Sequence, residues 1–171
     1  MAWVPVEGTW VHYVSLRRRR TGARRAGRLP APGRWQPAGT RRVYLADSEE
    51  TAWAEFYRGL AERGQAPQDE MPCELIRMRV GLERVADLRS EKARNALGLP
   101  RMRATRAQWP AFQAVGSRLI AEGAQGVLYA SAARLRSLCL CVYEAGLDQL
   151  SIEGEPIRIV APPPLPRGLR T

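Results

Sequence analysis

Residues 34–55 read RWQPAGTRRVYLADSEETAWAE and join a strand pattern directly to the start of a helix. The run RRVYLA at 41–46 is short and carries a valine and a tyrosine, residues that favour strands. Asp47 and Glu50 have the spacing of a capping box, so we expect a helix to begin here and to end at Gly64. The stretch therefore predicts a tight strand–helix unit.

The predicted helix has two contrasting faces. Its apolar stripe consists of Trp53, Phe56, Tyr57 and Leu60. Glu55 lies almost opposite that stripe, beside the small residues Ala52 and Gly59. A glutamate on a helix is most often a solvated surface residue. The small neighbours distinguish this one and make Glu55 a candidate functional residue.

The rest of the chain alternates strand and helix patterns. Strands are predicted at 10–16, 73–82, 126–131 and 137–144, helices at 90–98 and 109–123, and a hairpin or two strands around an EGEP turn at 151–162. The segment SLCLCVYE is apolar almost throughout, which indicates a strand buried on both faces. This order, in 171 residues, predicts a single α+β domain with a mixed β-sheet core flanked by helices.

Two segments are predicted to lack regular structure. Residues 17–40 are rich in Arg, Gly and Pro, which predicts a long basic loop. Residues 161–171 are rich in proline and predict an extended C-terminal tail. We therefore interpret residues 1–171 as one domain with these two irregular segments.

The net charge of +10 and the pI of about 10.7 are compatible with binding nucleic acid, an anionic small molecule or an acidic partner. Lys92 is the only lysine, and a composition rich in arginine and alanine is typical of a GC-biased genome. The densest basic cluster, at 16–28, contains no aromatic residue. Platforms for single strands need stacking aromatic side chains, so direct nucleic-acid contact is not expected to be the main function.

Neither a metal site nor membrane insertion is expected. The three cysteines (Cys73, Cys139 and Cys141) lack the four-donor cluster of a structural zinc site and are predicted to be buried apolar residues. His12 is the only histidine and has no neighbour at metal-ligand spacing. The sequence has no run of about twenty apolar residues, and the N-terminal segment does not resemble a signal peptide. A cytoplasmic location is therefore expected.

Four residues remain as candidates for chemistry. They are Arg34, Tyr44, Glu55 and Ser131. Taken alone, each has an ordinary explanation: a loop arginine, a strand aromatic, a surface glutamate and a helix N-cap serine. Trp35, beside the arginine, is expected to fill the core. The common phosphate-loop, hydrolase and metalloprotease motifs are absent, and a single histidine disfavours a Ser-His-Asp triad.

Three short motifs, in this order, resemble the RES domain, a family named for its arginine, glutamate and serine. They are GRW at 33–35, VYLADSEETAWAE at 43–55 and VLYASAAR at 127–134. The resemblance extends through 80–100 and 109–144 to the closing PPLPRGLRT, and so covers nearly the whole chain. The sequence departs from the family pattern at Pro32 in place of glycine, Gln36 in place of asparagine and Ala130 in place of proline.

The resemblance implies an ADP-ribosyltransferase-like fold and consumption of NAD as substrate, without a metal. Arg34, Tyr44, Glu55 and Ser131 match the family's catalytic positions. The arginine, tyrosine and serine of this set would also bind NAD. Family members typically act as toxins silenced by an Xre-like helix-turn-helix antitoxin. The resemblance therefore implies such a partner, and it is compatible with a homodimer of the toxin within the complex.

In this interpretation, Glu55 stabilises the oxocarbenium-like state that forms when the bond between nicotinamide and ribose breaks. Ala52 and Gly59 then leave room for a ligand against the helix. The acceptor of the ADP-ribose is water or phosphate. Two alternatives stay open: a toxin that transfers ADP-ribose to a protein, and a catalytically inactive basic module that binds nucleic acid or a partner protein.

Overall fold

The computed structural model describes residues 1–17, 30–102 and 106–170. The strands are β1 (Ala2–Ser15), β2 (Arg42–Ala46), β3 (Cys73–Leu88), β4 (Gly126–Ala130), β5 (Leu138–Tyr143), β6 (Leu150–Ile152) and β7 (Ile157–Ile159). The α-helices are α1 (Glu49–Ala61), α2 (Glu91–Asn95) and α3 (Trp109–Ala121). Short 3-10 turns are at Pro67–Glu70, Arg106–Gln108 and Glu144–Gln149. The predicted basic loop at 17–40 lies partly outside the described residues.

Five strands close on themselves in the order β1, β2, β5, β4, β3 and back to β1. The β3–β4 pair is parallel and the other four pairs are antiparallel, so the sheet is mixed. Closure satisfies strand edges that an open sheet would expose. The predicted mixed sheet is therefore present, in a closed form.

The β1–β2 pairing has the fewest residue pairs of the five pairings in this closed sheet. Its described register is one residue pair, Val11 with Ala46, whereas β1 and β3 pair from Ala2–Asp87 to Ser15–Cys73. His12 compensates locally, because its Nδ1–H donates to the Tyr44 carbonyl over 2.8 Å. Burial lowers the pKa of this histidine, so the imidazole stays neutral at neutral pH and acts as a fixed donor.

Two strands are longer than the sequence predicts. The first covers Ala2–Ser15 rather than 10–16, and the third continues to Leu88 rather than to 82. Pro5 and Gly8 disfavour a strand in the sequence. In the structure, the register of the β1–β3 pair shifts between Val4 and Val6. Such an irregularity accommodates Pro5, which has no N–H to give to a ladder.

The predicted hairpin at 151–162 is wrong, while its alternative of two strands is confirmed. β6 pairs with Met78–Val80 and β7 pairs with Cys73–Leu75, both antiparallel to β3. No described pairing joins β6 to β7. Both strands pair with β3, one after the other along its length, and the EGEP turn connects them.

Helix α1 begins one residue later than the capping-box pattern predicts. Ser48 is the N-cap, and its Oγ accepts from the Thr51 N–H over 3.2 Å. Asp47 instead accepts from the Leu138 N–H over 2.6 Å. This carboxylate therefore ties the β2–α1 turn to β5, which a local sequence pattern does not reveal.

Three apolar clusters hold the elements together. Trp53, Phe56 and Leu60 of α1 are buried against β1 and β3, which confirms the predicted stripe. A second cluster consists of strand residues alone and fills the closed sheet. In the third cluster, side chains of α3 pack against β4 and β5. β5 contributes to the second and third clusters, so the prediction that it is buried on both faces is confirmed, as is the burial of all three cysteines.

Candidate active site

A cavity of about 380 Å³ lies between α1, the β1–β2 pairing and the loop that precedes β2. Helix α1 contributes Ala52, Glu55, Arg58 and Gly59 to its wall, and Glu62 and Arg63 follow directly after the helix. The predicted face of small residues therefore borders this cavity, and Ala52 also packs in the apolar cluster beneath α1. Three of the four predicted site residues, Arg34, Tyr44 and Glu55, line this cavity.

Glu55 is held in one orientation by contacts to its Oε1 atom. Ser131 Oγ donates to it over 2.6 Å, and the Ala133 N–H lies at 3.4 Å. The thiol of Cys139 lies at 3.6 Å. Burial, followed by the nearby Glu55 carboxylate, raises the pKa of that thiol, so it stays protonated and acts as a weak donor. A carboxylate with fixed donors on one oxygen presents its other oxygen in a defined direction.

Ser131 is not among the residues that line the cavity. It contacts Glu55, which does line it. No helix follows it, so the helix N-cap explanation is wrong. Its Oγ accepts from the N–H groups of Ala133 and Arg134 over 3.1 and 3.0 Å, which fixes a tight turn after β4. Ser131 is 6% exposed, and its hydroxyl donates a hydrogen bond to the Glu55 carboxylate. Ser131 therefore orients the carboxylate.

Arg34 is carried by a loop that is anchored on both sides. The Gly33 N–H donates to the Gln36 carbonyl over 3.0 Å, and Gln113 Nε2 donates to the Gly33 carbonyl over 2.8 Å. Trp35 is fully buried against Phe112, which confirms its predicted core role. The guanidinium of Arg34 lies 5.7 Å from the Phe112 ring centre, within the range of a cation–π contact.

Tyr44 presents its ring to the cavity and its hydroxyl to this loop. The Trp35 N–H donates to the hydroxyl over 3.1 Å. The Gln36 amide, with its oxygen 2.7 Å from both Arg42 Nε and Gly33 N, places its nitrogen 2.7 Å from the same hydroxyl. Burial raises the pKa of Tyr44 well above its ordinary value, so the hydroxyl stays protonated.

Replacing Tyr44 with phenylalanine is expected to lower the free energy of unfolding by about 1–3 kcal/mol, because buried donors on the loop lose their acceptor. Equilibrium unfolding in urea measures this loss. An unchanged stability together with weaker substrate binding would assign the hydroxyl to the substrate instead of the loop.

The cavity has a strongly positive lining. Five arginines and two glutamates contribute to it. Sequence analysis did not single out Arg42, Arg58, Glu62, Arg63 or Arg106. Burial raises the pKa of Glu62, against the opposing effect of Arg34 and other arginines. The spacing of Glu55, Arg58 and Glu62, three and then four residues apart, is the signal that places them on one helix face.

Within the described residues, no group of three or more His, Cys, Asp or Glu has the proximity needed to hold a metal ion. Among the same residues, none of the helices has the length and apolar character needed to cross a membrane. The cavity wall offers two carboxylates, five guanidinium groups and aromatic side chains.

Comparison with known proteins agrees with this geometry. Residues 9–161 match the family model described as the RES domain, and no curated protein sequence matches the chain. The chain is similar to the MbcT toxin in the crystal structure of the M. tuberculosis MbcT–MbcA toxin–antitoxin complex, with a TM-score of 0.73 and 26% identity. The match covers 92% of this chain and 87% of that chain. The predicted α+β fold with an ADP-ribosyltransferase-like core is confirmed, and the chain belongs to the RES domain family.

Proposed function

We propose that this protein is the toxin of a toxin–antitoxin pair and that it breaks the nicotinamide–ribose bond of NAD, with water or phosphate as acceptor. Family membership and the likeness to MbcT support the toxin assignment. The observation that carries the chemical assignment is Glu55, which is oriented by the 2.6 Å bond from Ser131 at the wall of an arginine-lined cavity.

Glu55 acts on the developing positive charge. When the glycosidic C–N bond breaks, nicotinamide leaves with the electron pair and the ribose becomes oxocarbenium-like. A carboxylate held beside the ribose stabilises that state more than the ground state, which lowers the barrier. The acceptor oxygen then bonds to the ribose C1 and releases a proton if the acceptor is water. Glu55 also orients this acceptor.

The other three residues bind and position the substrate. Arg34 pairs with phosphate or ribose oxygens through its planar guanidinium. Tyr44 offers its ring face to the nicotinamide end. Ser131 holds the Glu55 carboxylate in place, and its direct contact to the nicotinamide ribose stays a prediction. The excess of guanidinium groups in the cavity favours a ligand with two phosphate charges.

The protein partner in this proposal is an antitoxin. MbcT is found in a toxin–antitoxin complex with MbcA, and the likeness extends over most of both chains. An Xre-like helix-turn-helix protein is the antitoxin class that we propose for this chain. A homodimer of the toxin within that complex is part of the same proposal.

The test is NAD consumption by purified protein, with and without phosphate, followed by chromatography of the products. We expect loss of NAD with release of free nicotinamide. ADP-ribose is the expected co-product with water, and ADP-ribose carrying a phosphate at C1 is expected with phosphate. Persistence of NAD under both conditions would contradict the proposal. Nicotinamide release only when an added protein gains the mass of ADP-ribose would replace it with protein transfer.

A further inference from the structure

We propose that Arg58 is a second diphosphate-binding residue of this cavity, in addition to Arg34. The inference deepens the proposed function, since it assigns the recognition of the nucleotide's phosphates to a residue outside the motif set. The identity of the bound nucleotide rests on the proposed function. The anion site itself is argued from the contacts of Arg58 and from the charge of the cavity wall.

Two guanidinium nitrogens of Arg58, Nε and Nη1, are buried and have no hydrogen-bond partner among the described residues. A guanidinium carries five donors and no acceptor, so buried donors of this kind cost free energy unless a partner arrives. Burial lowers the pKa of this arginine, and the nearby Glu55 carboxylate opposes that effect. An arginine nevertheless stays charged at neutral pH. Arg58 therefore places a positive charge at the cavity wall, and its two buried donors can reach a phosphate in the cavity when the guanidinium turns toward it.

The surrounding charge favours an anion with more than one negative charge. Arg58 and four other arginines line the cavity, against the carboxylates of Glu55 and Glu62. Arg34, Arg58 and Glu62 line the same cavity, and both arginines oppose the rise that burial causes in the pKa of Glu62. A diphosphate with two charges suits this excess better than a neutral or a singly charged ligand.

The position of Arg58 relative to Glu55 fits a nucleotide. Both side chains project from α1 three residues apart, where Cβ atoms are about 5–6 Å from each other. A phosphate on the 5′-carbon of a ribose is separated from C1 by roughly the width of the sugar ring. A diphosphate bound by Arg58 therefore leaves the ribose beside the carboxylate.

A structural role for Arg58 would give the opposite stability signature. If its charge supported the fold, replacing it would destabilise the protein. A buried guanidinium with unmet donors instead costs stability in the empty protein, and its replacement by an apolar side chain is neutral or stabilising. Arg58→Ala and Arg58→Met are therefore expected to unfold at the same temperature as the wild type or at a higher one.

Calorimetric titration with ADP, and with adenosine as the uncharged counterpart, tests the assignment. We expect Arg58→Ala and Arg58→Met to weaken ADP binding about tenfold to a hundredfold, which is the usual effect of losing hydrogen bonds to a charged group. Adenosine binding should not change. Arg77→Ala is the matched control, because it removes the same charge from an exposed ion pair with Glu49 on the protein surface.

Each outcome separates this inference from the proposed function. Equal ADP affinity in the wild type and both Arg58 variants would overturn the inference, as would absence of ADP binding or an equal loss in Arg77→Ala. A lower unfolding temperature in both Arg58 variants would assign a structural role and also overturn it. ADP binding that depends on Arg58, without any loss of NAD, would contradict the proposed function and leave the diphosphate site standing.

Discussion

Replacing Glu55 with glutamine is expected to lower the rate of NAD consumption by about 10²–10³-fold, as loss of one preorganised electrostatic contact to a transition state does. Glutamine keeps the shape of the side chain and an oxygen that accepts from Ser131 Oγ. It removes only the negative charge that stabilises the oxocarbenium-like ribose. Release of nicotinamide, followed by chromatography in single-turnover and steady-state assays, measures the effect.

The fold is expected to survive this change, because Glu55 belongs to none of the three apolar clusters. Thermal unfolding of Glu55→Gln should match that of the wild type within a few degrees. Glu50→Gln is the matched control, since Glu50 is an exposed carboxylate on the same helix and should keep full activity. Wild-type turnover in Glu55→Gln would remove the carboxylate from the proposed mechanism.

The part of the site that residue periodicity alone predicts is the part carried by one helix, whereas the other three candidate residues come from the family resemblance. The period of α1 separates Trp53, Phe56 and Leu60 from the face of Glu55, and both faces have the predicted surroundings. A helix of thirteen residues repeats its pattern often enough for the apolar and small faces to be distinguished. The helical period therefore predicts that Glu55 lies on the face opposite the apolar stripe. The packing of that stripe then determines what this face borders.

Sequence analysis misses the contacts that join these residues across distant segments. Ser131 and Glu55 are 76 residues apart in the chain, and their bond exists because β4 ends beside α1. Gln36 departs from the family pattern, yet it is fully buried and its amide approaches the Tyr44 hydroxyl. Residue type and spacing carry no information on such pairings, which are set by the closed sheet. The long β1–β3 ladder is missed for the same reason.

Arg58 illustrates a different limit. In a chain with 27 basic residues, one more arginine on a helix gives no signal of its own. What distinguishes it is the burial of two of its nitrogens at a cavity wall. That property arises only after α1 has packed against the sheet and the loop before β2. Spacing from Glu55 would have been the only clue available beforehand.

The loop that carries Arg34 depends on a glycine in α3. A Cβ atom at Gly116 would lie 1.8 Å from the Trp35 carbonyl oxygen and 3.2 Å from the Tyr143 hydroxyl. The same hydroxyl donates to that carbonyl over 3.2 Å. Because the nearest atom belongs to the backbone, no side-chain rotation relieves the contact. Helix α3 and the loop must separate to admit a methyl group.

Gly116→Ala is therefore expected to lower the free energy of unfolding by about 3 kcal/mol, the upper part of the usual range for overpacking. The sign of the change in unfolding free energy distinguishes the two effects. Without the close contact, alanine in an exposed helix interior would stabilise the protein by about 1 kcal/mol relative to glycine. Urea unfolding followed by circular dichroism measures the change. Gly81→Ala is the control, since a Cβ there has no atom within 4 Å, and its effect should stay within about 0.5 kcal/mol. A Gly116→Ala protein as stable as the wild type would mean that the Arg34 loop does not rest on α3.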